Sequence, residues 1–127
     1  MSKIVARLEN MLEDLKEVGE QKETAPKRWQ ANYMLILARL QATLAYLEEY
    51  QSLLGQMRKE YPQHDPAIHS GWKMASKENA SDSLGKKLDR AARKFYADLA
   101  KDNPKTPYEV LGKREKLTAL GLEWQTY

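Results

Sequence analysis

Two neighbouring glutamates are the first residues in this sequence whose types could support chemistry. Glu48 and Glu49 lie side by side in the middle of a long predicted helix. Inward-facing glutamates are iron ligands in helical di-iron proteins, but those sites also need Glu-x-x-His motifs on neighbouring helices, and the sequence has none. We therefore expect Glu48 and Glu49 to be solvated or paired with arginine or lysine.

The two histidines form the second candidate site. His64 and His69 lie in or beside a loop that contains Pro62, Asp65 and Pro66. Imidazole and carboxylate groups can bind zinc or nickel, but two histidines five residues apart with one acid are a weak pattern. The chain contains no cysteine, which excludes disulfides, thiolate catalysis and cysteine-bound metals. Phosphate-binding glycine loops and the Gly-x-Ser-x-Gly motif are also missing from the sequence, so we expect no enzyme, no cofactor and no metal.

Positive charge is concentrated on a predicted third helix. Its cations could neutralise the phosphates of a nucleic acid or bind an anionic surface. Asp82 and Asp89 each lie four residues before a cation and are spaced to pair with it, so a solvated face or an acidic protein partner are the other interpretations. We call this group the basic patch: Lys86, Lys87, Arg90, Arg93 and Lys94.

The element that must position these groups is a long helix predicted over residues 29 to 61. It is apolar on two sides, and because exposed apolar surface costs about 25 cal/mol per Å², both sides need partners. The first set follows alternating steps of four and three: Ile36, Leu40, Thr43, Leu47, Tyr50, Leu54, Met57 and Tyr61. The second set contains small residues that admit a close neighbour: Leu35, Ala38, Ala42, Ala45, Tyr46 and Leu53.

Three further helices are predicted around this one. The first spans residues 2 to 21, and its inner face is Ile4, Leu8, Met11, Leu15 and Val18, widened by Val5 and Leu12. The third spans 83 to 101, with Asp82 or Ser81 as its N-cap. The fourth begins with Thr106 as N-cap, Pro107 at the first position and Glu109 completing a capping box, and ends at Gly121 as C′ residue.

The remaining segments have weaker patterns. Residues 67 to 83 fit a short helix or an ordered crossover, in which Trp72 packs against the bundle or is exposed for recognition. Residues 122 to 127 alternate apolar and polar, which indicates an extended tail with Leu122 and Trp124 facing inward. Glycines at 55, 85 and 112 fall within predicted helices, where close helix contact would explain them.

These patterns together predict an all-α protein. We expect a single domain over residues 1 to 127, an antiparallel bundle of about four helices around the long central helix, with an extended C-terminal tail. No stretch is long and uncharged enough to span a bilayer, and residues 1 to 4 lack the apolar core of a signal peptide. The cytoplasm is therefore the expected compartment.

Two resemblances add to this interpretation. The turn from Asp102 to Tyr108 resembles the turn between helix pairs of tetratricopeptide-type repeats, although no second copy of the pattern follows. The residues Asn32-Tyr33, Leu37 to Leu40, Gly71-Trp72 and Thr106 to Trp124 are similar to a helical region of uncharacterised bacterial proteins, some of which carry a von Willebrand factor A domain. This second resemblance implies a helical accessory module without catalytic residues.

The function expected from the sequence is therefore interaction. We predict a non-enzymatic helical scaffold module that binds a protein partner or self-associates through the surplus apolar face of the central helix. Nucleic-acid or anionic-surface binding through the basic patch is the alternative. Aromatic residues of the central helix are expected in the core first, and those left uncovered would bind the partner. The candidates for partner binding are Trp29, Tyr33, Tyr46, Tyr50 and Trp72.

Overall fold

The structure, a computed structural model, describes residues 2–19, 26–59, 67 and 70–127 of the chain. It contains four helices and two strands within that part of the sequence. The helices are α1 (Ser2–Gly19), α2 (Lys27–Lys59), α3 (Ser83–Asp102) and α4 (Pro107–Lys116), and the strands are β1 (Trp72–Lys77) and β2 (Gly121–Thr126).

Helix α2 is the centre of the fold, as its length predicts. Helix α3 packs antiparallel to it, because Gly85 lies against the Ala45 carbonyl at one end while Leu99 and Met34 lie together at the other. Helix α1 also contacts α2, and α4 packs mainly on α3. The core is mainly aliphatic with two tyrosines: Val5, Leu12, Ala31, Tyr33, Met34, Leu35, Leu37, Ala38, Leu40, Leu44, Ala92, Tyr96 and Leu99.

The two predicted sets of apolar residues on α2 differ in how far they are buried. The small-residue set is mostly covered, since Leu35, Ala38, Ala45 and Leu53 are buried. The set with alternating steps of four and three is only partly buried, since Leu40 is in the core but Ile36 is 54% exposed and Thr43 is also exposed. Leu37, Gln41 and Leu44, which belong to neither predicted set, are buried as well.

The expected all-α class is incomplete, because the chain also forms a small sheet. Strands β1 and β2 pair antiparallel, with Trp72 opposite Thr126 and Lys77 opposite Gly121. The tail therefore is extended, as predicted, and of the two alternatives for the segment around Trp72 the helix is wrong, because these residues form a strand in the crossover from α2 to α3. Leu122 is buried, and the Trp124 indole donates to the Leu53 carbonyl of α2 at 3.0 Å, so the tail does lie against the helices.

The predicted starts of α3 and α4 are confirmed, and one predicted end is wrong. Asp82 is the N-cap of α3, and its carboxylate accepts from the Gly85 amide at 3.0 Å. Thr106 and Pro107 begin α4, but Thr106 makes no side-chain cap bond, and Glu109 accepts from the Lys105 amide, so the reciprocal capping box does not form. Helix α4 ends at Lys116, before Gly121, which opens β2 in place of capping a helix.

Close helix contact explains one of the three helical glycines. A Cβ at Gly112 would lie 2.6 Å from the Tyr96 carbonyl oxygen of α3, which is too close for a side chain. One at Gly85 would lie 3.4 Å from the Ala45 carbonyl oxygen of α2, which is an ordinary van der Waals contact. Among the described residues, no atom outside the backbone of α2 lies within 4 Å of the Cβ position of Gly55. The interpretation is therefore confirmed for Gly112 and wrong for Gly55, while Gly85 packs against α2 with room for a Cβ.

Candidate functional site

The five aromatic residues expected to bind a partner do not form one surface. Tyr33 is buried, whereas Trp29 and Tyr46 are 39% and 42% exposed. Trp29 stacks on Tyr33 with ring centroids 5.7 Å apart, which fixes its ring at the start of α2. Tyr50 is half-buried on α2 and Trp72 is half-buried on β1. Of the five, Trp29 and Tyr46 thus offer the most surface, and they lie 17 positions apart along α2.

Another uncovered apolar surface is on α1, where the sequence predicts an inner face. Val5 and Leu12 are buried, and Leu8 and Leu15 pack against the core. The seven apolar positions of α1 span a wider arc than its contact with α2 buries, so one edge remains outside. We call this edge the α1 stripe: Ile4, Met11 and Val18, which are 54%, 51% and 47% exposed.

The α1 stripe is regular, and charged residues border it. Its three side chains are seven positions apart, which is close to two helical turns, so they line up along the helix. Arg7 and Asp14, both exposed, follow the first two stripe residues by three positions and therefore lie beside the stripe on its outer side. The border is basic towards the N-terminal end of α1 and acidic towards its C-terminal end.

The basic patch is exposed except for one member. Lys86, Lys87, Arg90 and Lys94 are exposed on α3. Arg93 is half-buried, and its guanidinium donates to buried Asp89 at 2.7 Å and to the Glu78 carbonyl at 2.9 Å. The predicted pair of Asp89 with Arg93 is confirmed. Asp82 instead caps α3, so its carboxylate is occupied by the Gly85 amide.

The sequence predicts that Glu49 is solvated or paired with a cation, whereas the structure buries it. Its side chain is 0% exposed and its carboxylate accepts hydrogen bonds from the loop before α3 and from β2. The Ser81 hydroxyl lies 2.7 Å away, the Ser81 amide 3.0 Å and the Asp82 amide 2.8 Å, while the Leu122 amide is 3.4 Å away. The Glu49 side chain therefore joins the middle of α2 to the loop before α3 and to β2.

The hydrogen bonds to Glu49 determine its ionisation. Burial alone raises the pKa of a carboxyl, but the donors from Asp82, Ser81 and Leu122 outweigh it, so the pKa of Glu49 is lowered. Glu48, its neighbour, behaves in the opposite way. Burial, followed by the negative charges of Asp82 and Glu9, raises the pKa of Glu48. The folded structure thus favours the charged form of Glu49 and disfavours the charged form of Glu48.

A cleft between α2 and α4 is a concave feature of the described surface. The two helices run parallel, because Tyr108 donates to the Asn32 amide oxygen at 2.6 Å and Arg39 pairs with Glu115 at 3.3 Å. These two links are seven residues apart on each helix. The two links divide the cleft into two cavities. The outer cavity, of about 780 Å³, lies at the start of α2 and α4, and the inner cavity, of about 400 Å³, lies beside Arg39 and Glu115.

The described residues hold no metal site, since they contain no group of three or more acidic or histidine side chains able to bind one ion. His64, Asp65, His69 and Tyr61 lie outside the described residues. Within the described part, no helix is both long and apolar enough to cross a membrane.

Comparison with known proteins adds no family to this account. No family model matches the chain, and neither the curated proteins nor the solved structures provide a significant match.

Proposed function

We propose that this chain is a non-enzymatic helical interaction module that pairs with a second copy of itself through the α1 stripe. The observation that carries the proposal is the exposed line of Ile4, Met11 and Val18, with about half of each side chain in water. The seven-residue spacing places these side chains at one of the two apolar positions of a heptad repeat, the pattern by which helices pair.

The charges beside the stripe favour a second copy in antiparallel orientation. If the two α1 helices cross about Met11, Arg7 of each copy lies next to Asp14 of the other, which gives two ion pairs. In a parallel pair, the two-fold axis runs along the helices and places the Arg7 and Asp14 sides of the two copies on opposite faces of the pair, so neither ion pair forms. An antiparallel pair is also closed by a two-fold axis, which is the commonest symmetry of homodimers.

The expected affinity is modest. Full burial of an aliphatic side chain contributes about 1.5–3 kcal/mol, so covering the exposed half of three side chains on each of two copies supplies roughly 6 kcal/mol. Without any cost of association, this value corresponds to a Kd of about 40 µM. Lost translational and rotational freedom weakens the pairing further. The test must therefore extend to protein concentrations of about 1 mM.

A charge-exchange series tests the proposal by sedimentation equilibrium. Arg7→Asp and Asp14→Arg each place like charges together across the pair and should weaken dimerisation about tenfold, while the double variant should restore it. Glu13→Arg is the matched control for Asp14→Arg, because Glu13 is an equally exposed acid on the other side of α1. A wild-type protein that stays monomeric at about 1 mM, or single and double variants with equal affinity, would refute the proposal.

The second candidate function is binding of nucleic acid or another anionic surface through the basic patch. It is favoured by the exposure of Lys86, Lys87, Arg90 and Lys94 within nine consecutive residues of α3. Phosphate binding by these four cations would make retention on DNA fall steeply between low and moderate salt. Replacing Lys87 and Lys94 by glutamine should reduce that retention. Retention that does not change with salt would exclude this function.

A further inference from the structure

The outer cavity of the cleft between α2 and α4 has the properties of a binding site for an amphipathic anion. Its volume of about 780 Å³ falls within the usual range for small-molecule sites. The wall combines the first two turns of α2 with the α3–α4 turn and the start of α4. Apolar groups predominate in it, including buried Leu35, half-buried Leu111, and the rings of Pro107 and Tyr108.

Positive charge is confined to one side of this cavity. Lys27 and Arg28 line it, both are exposed, and none of the described residues that line it is acidic. Within the described residues neither cation forms a salt bridge. Asp102 lines a separate small cavity of about 40 Å³ that Lys27 also borders.

The inner cavity of the same cleft provides the contrast. It is lined by Arg39, but this cation already pairs with Glu115, which lines the same cavity. Burial raises the pKa of Tyr96 in its wall to about 12, with the Glu115 charge adding to the effect, so the phenol stays neutral. The inner cavity is therefore electrostatically balanced, whereas the outer cavity has two cations that its own wall does not neutralise.

We propose that the outer cavity binds a medium-chain carboxylate, with the carboxylate between Lys27 and Arg28 and the hydrocarbon chain against Leu35 and Leu111. Arginine and lysine form strong charge-assisted hydrogen bonds with carboxylates, and the apolar floor removes the chain from water. The hydrogen-bonded pair of Asn32 and Tyr108 spans the wall and supplies the polar contacts that orient such a ligand. This site is separate from the α1 stripe and does not depend on self-association.

The test uses decanoate as the probe, with decylammonium as a ligand of the same chain and opposite charge. Isothermal titration calorimetry measures affinity, and amide chemical shifts locate the site. Decanoate should bind at least about tenfold more tightly than decylammonium, and the largest shifts should be at Leu35 and Leu111. Equal affinities for the two probes, or shifts that centre on the α1 stripe, would overturn the proposal.

A paired variant identifies the cations. The double change Lys27→Gln and Arg28→Gln should weaken decanoate binding about tenfold, since it removes both charge-assisted contacts. The matched control is Lys86→Gln with Arg90→Gln on α3, which removes the same charge from another exposed surface and should leave the affinity unchanged. Circular dichroism confirms that the variants are folded. Equal loss of affinity in both double variants would show that only net charge matters and would contradict the site.

Discussion

Replacing Glu49 by glutamine should destabilise the fold strongly although the two side chains have almost the same shape. One carboxylate oxygen accepts from the Ser81 hydroxyl and the other from the Asp82 amide. Glutamine keeps one acceptor oxygen, but it has an NH₂ group, which only donates, in place of the other. At least one backbone N–H near Glu49 therefore loses its acceptor, and in one of the two orientations of the amide it is the Asp82 N–H.

The expected loss follows from these contacts. An unsatisfied buried donor costs about 1–3 kcal/mol, and the remaining hydrogen bonds change from charge-assisted to neutral, which removes roughly another 1 kcal/mol. We therefore expect Glu49→Gln to lower the free energy of unfolding by about 2–4 kcal/mol at pH 7. This is a large part of the total stability of an ordinary domain, which is about 5–15 kcal/mol.

Urea unfolding followed by circular dichroism measures this loss. Its pH dependence has a defined sign. Because the folded-state pKa of Glu49 is lowered below its ordinary value of 4.5, its stabilisation is complete above that pH and is lost as the pH falls through the folded-state pKa. The gap between wild type and variant should therefore narrow below pH 4.5. A variant within about 0.5 kcal/mol of wild type at pH 7, the range of ordinary surface substitutions, would refute the reasoning.

Three further changes test other contacts. Gly112→Ala should cost about 1–3 kcal/mol of unfolding free energy, because its Cβ would lie 2.6 Å from the Tyr96 carbonyl oxygen; an unfolding midpoint equal to wild type would contradict this close contact. Gly55→Ala should stabilise α2 by roughly 0.5–1 kcal/mol, since its Cβ position has open space; a loss of stability would show an unrecognised neighbour. Glu48→Gln should leave the free energy of unfolding unchanged or raise it slightly at pH 7, because burial and nearby negative charges raise the pKa of Glu48. Any gain in stability should fade as the pH falls towards 4.5, where the wild-type carboxyl is protonated as well. Marked destabilisation at pH 7 would contradict this prediction.

The sequence predicts the helices well because their signals are local. The start of α3 follows from Asp82, whose carboxylate accepts from the Gly85 amide within one turn, and the start of α4 follows from Pro107, whose ring suits the first turn of a helix. The small sheet has no comparable local signal. Residues 121–126 alternate visibly, but their partner, 72–77, does not, and the two strands are separated by both α3 and α4. Pairing of this kind depends on how the helices bring the strands together.

The candidate sites are less predictable because they depend on which surfaces remain uncovered. An acidic residue within a helix is usually exposed, so Glu49 is expected in solvent. One signal could have corrected this, since Glu49 lies four residues after Ala45 and four before Leu53, on the small-residue side that is buried. The exposure of Met11 could have been predicted in a similar way, because the seven apolar residues of α1 span a wider arc than one neighbouring helix can cover. The cleft between α2 and α4 has none, because it arises from packing of distant segments.

Cysteine crosslinking of α1 tests the central claim, antiparallel pairing through the α1 stripe, most directly. The chain has no cysteine, so a single introduced thiol reports only its own contact. Met11→Cys lies on the proposed two-fold axis and should form a covalent dimer on mild oxidation. In an antiparallel pair the two copies of residue 4 are separated by about 21 Å along the helix, far beyond the Cα separation of about 7 Å that a disulfide tolerates. Ile4→Cys alone should therefore remain monomeric. A monomeric Met11→Cys protein, or equal crosslinking at both positions, would contradict the account.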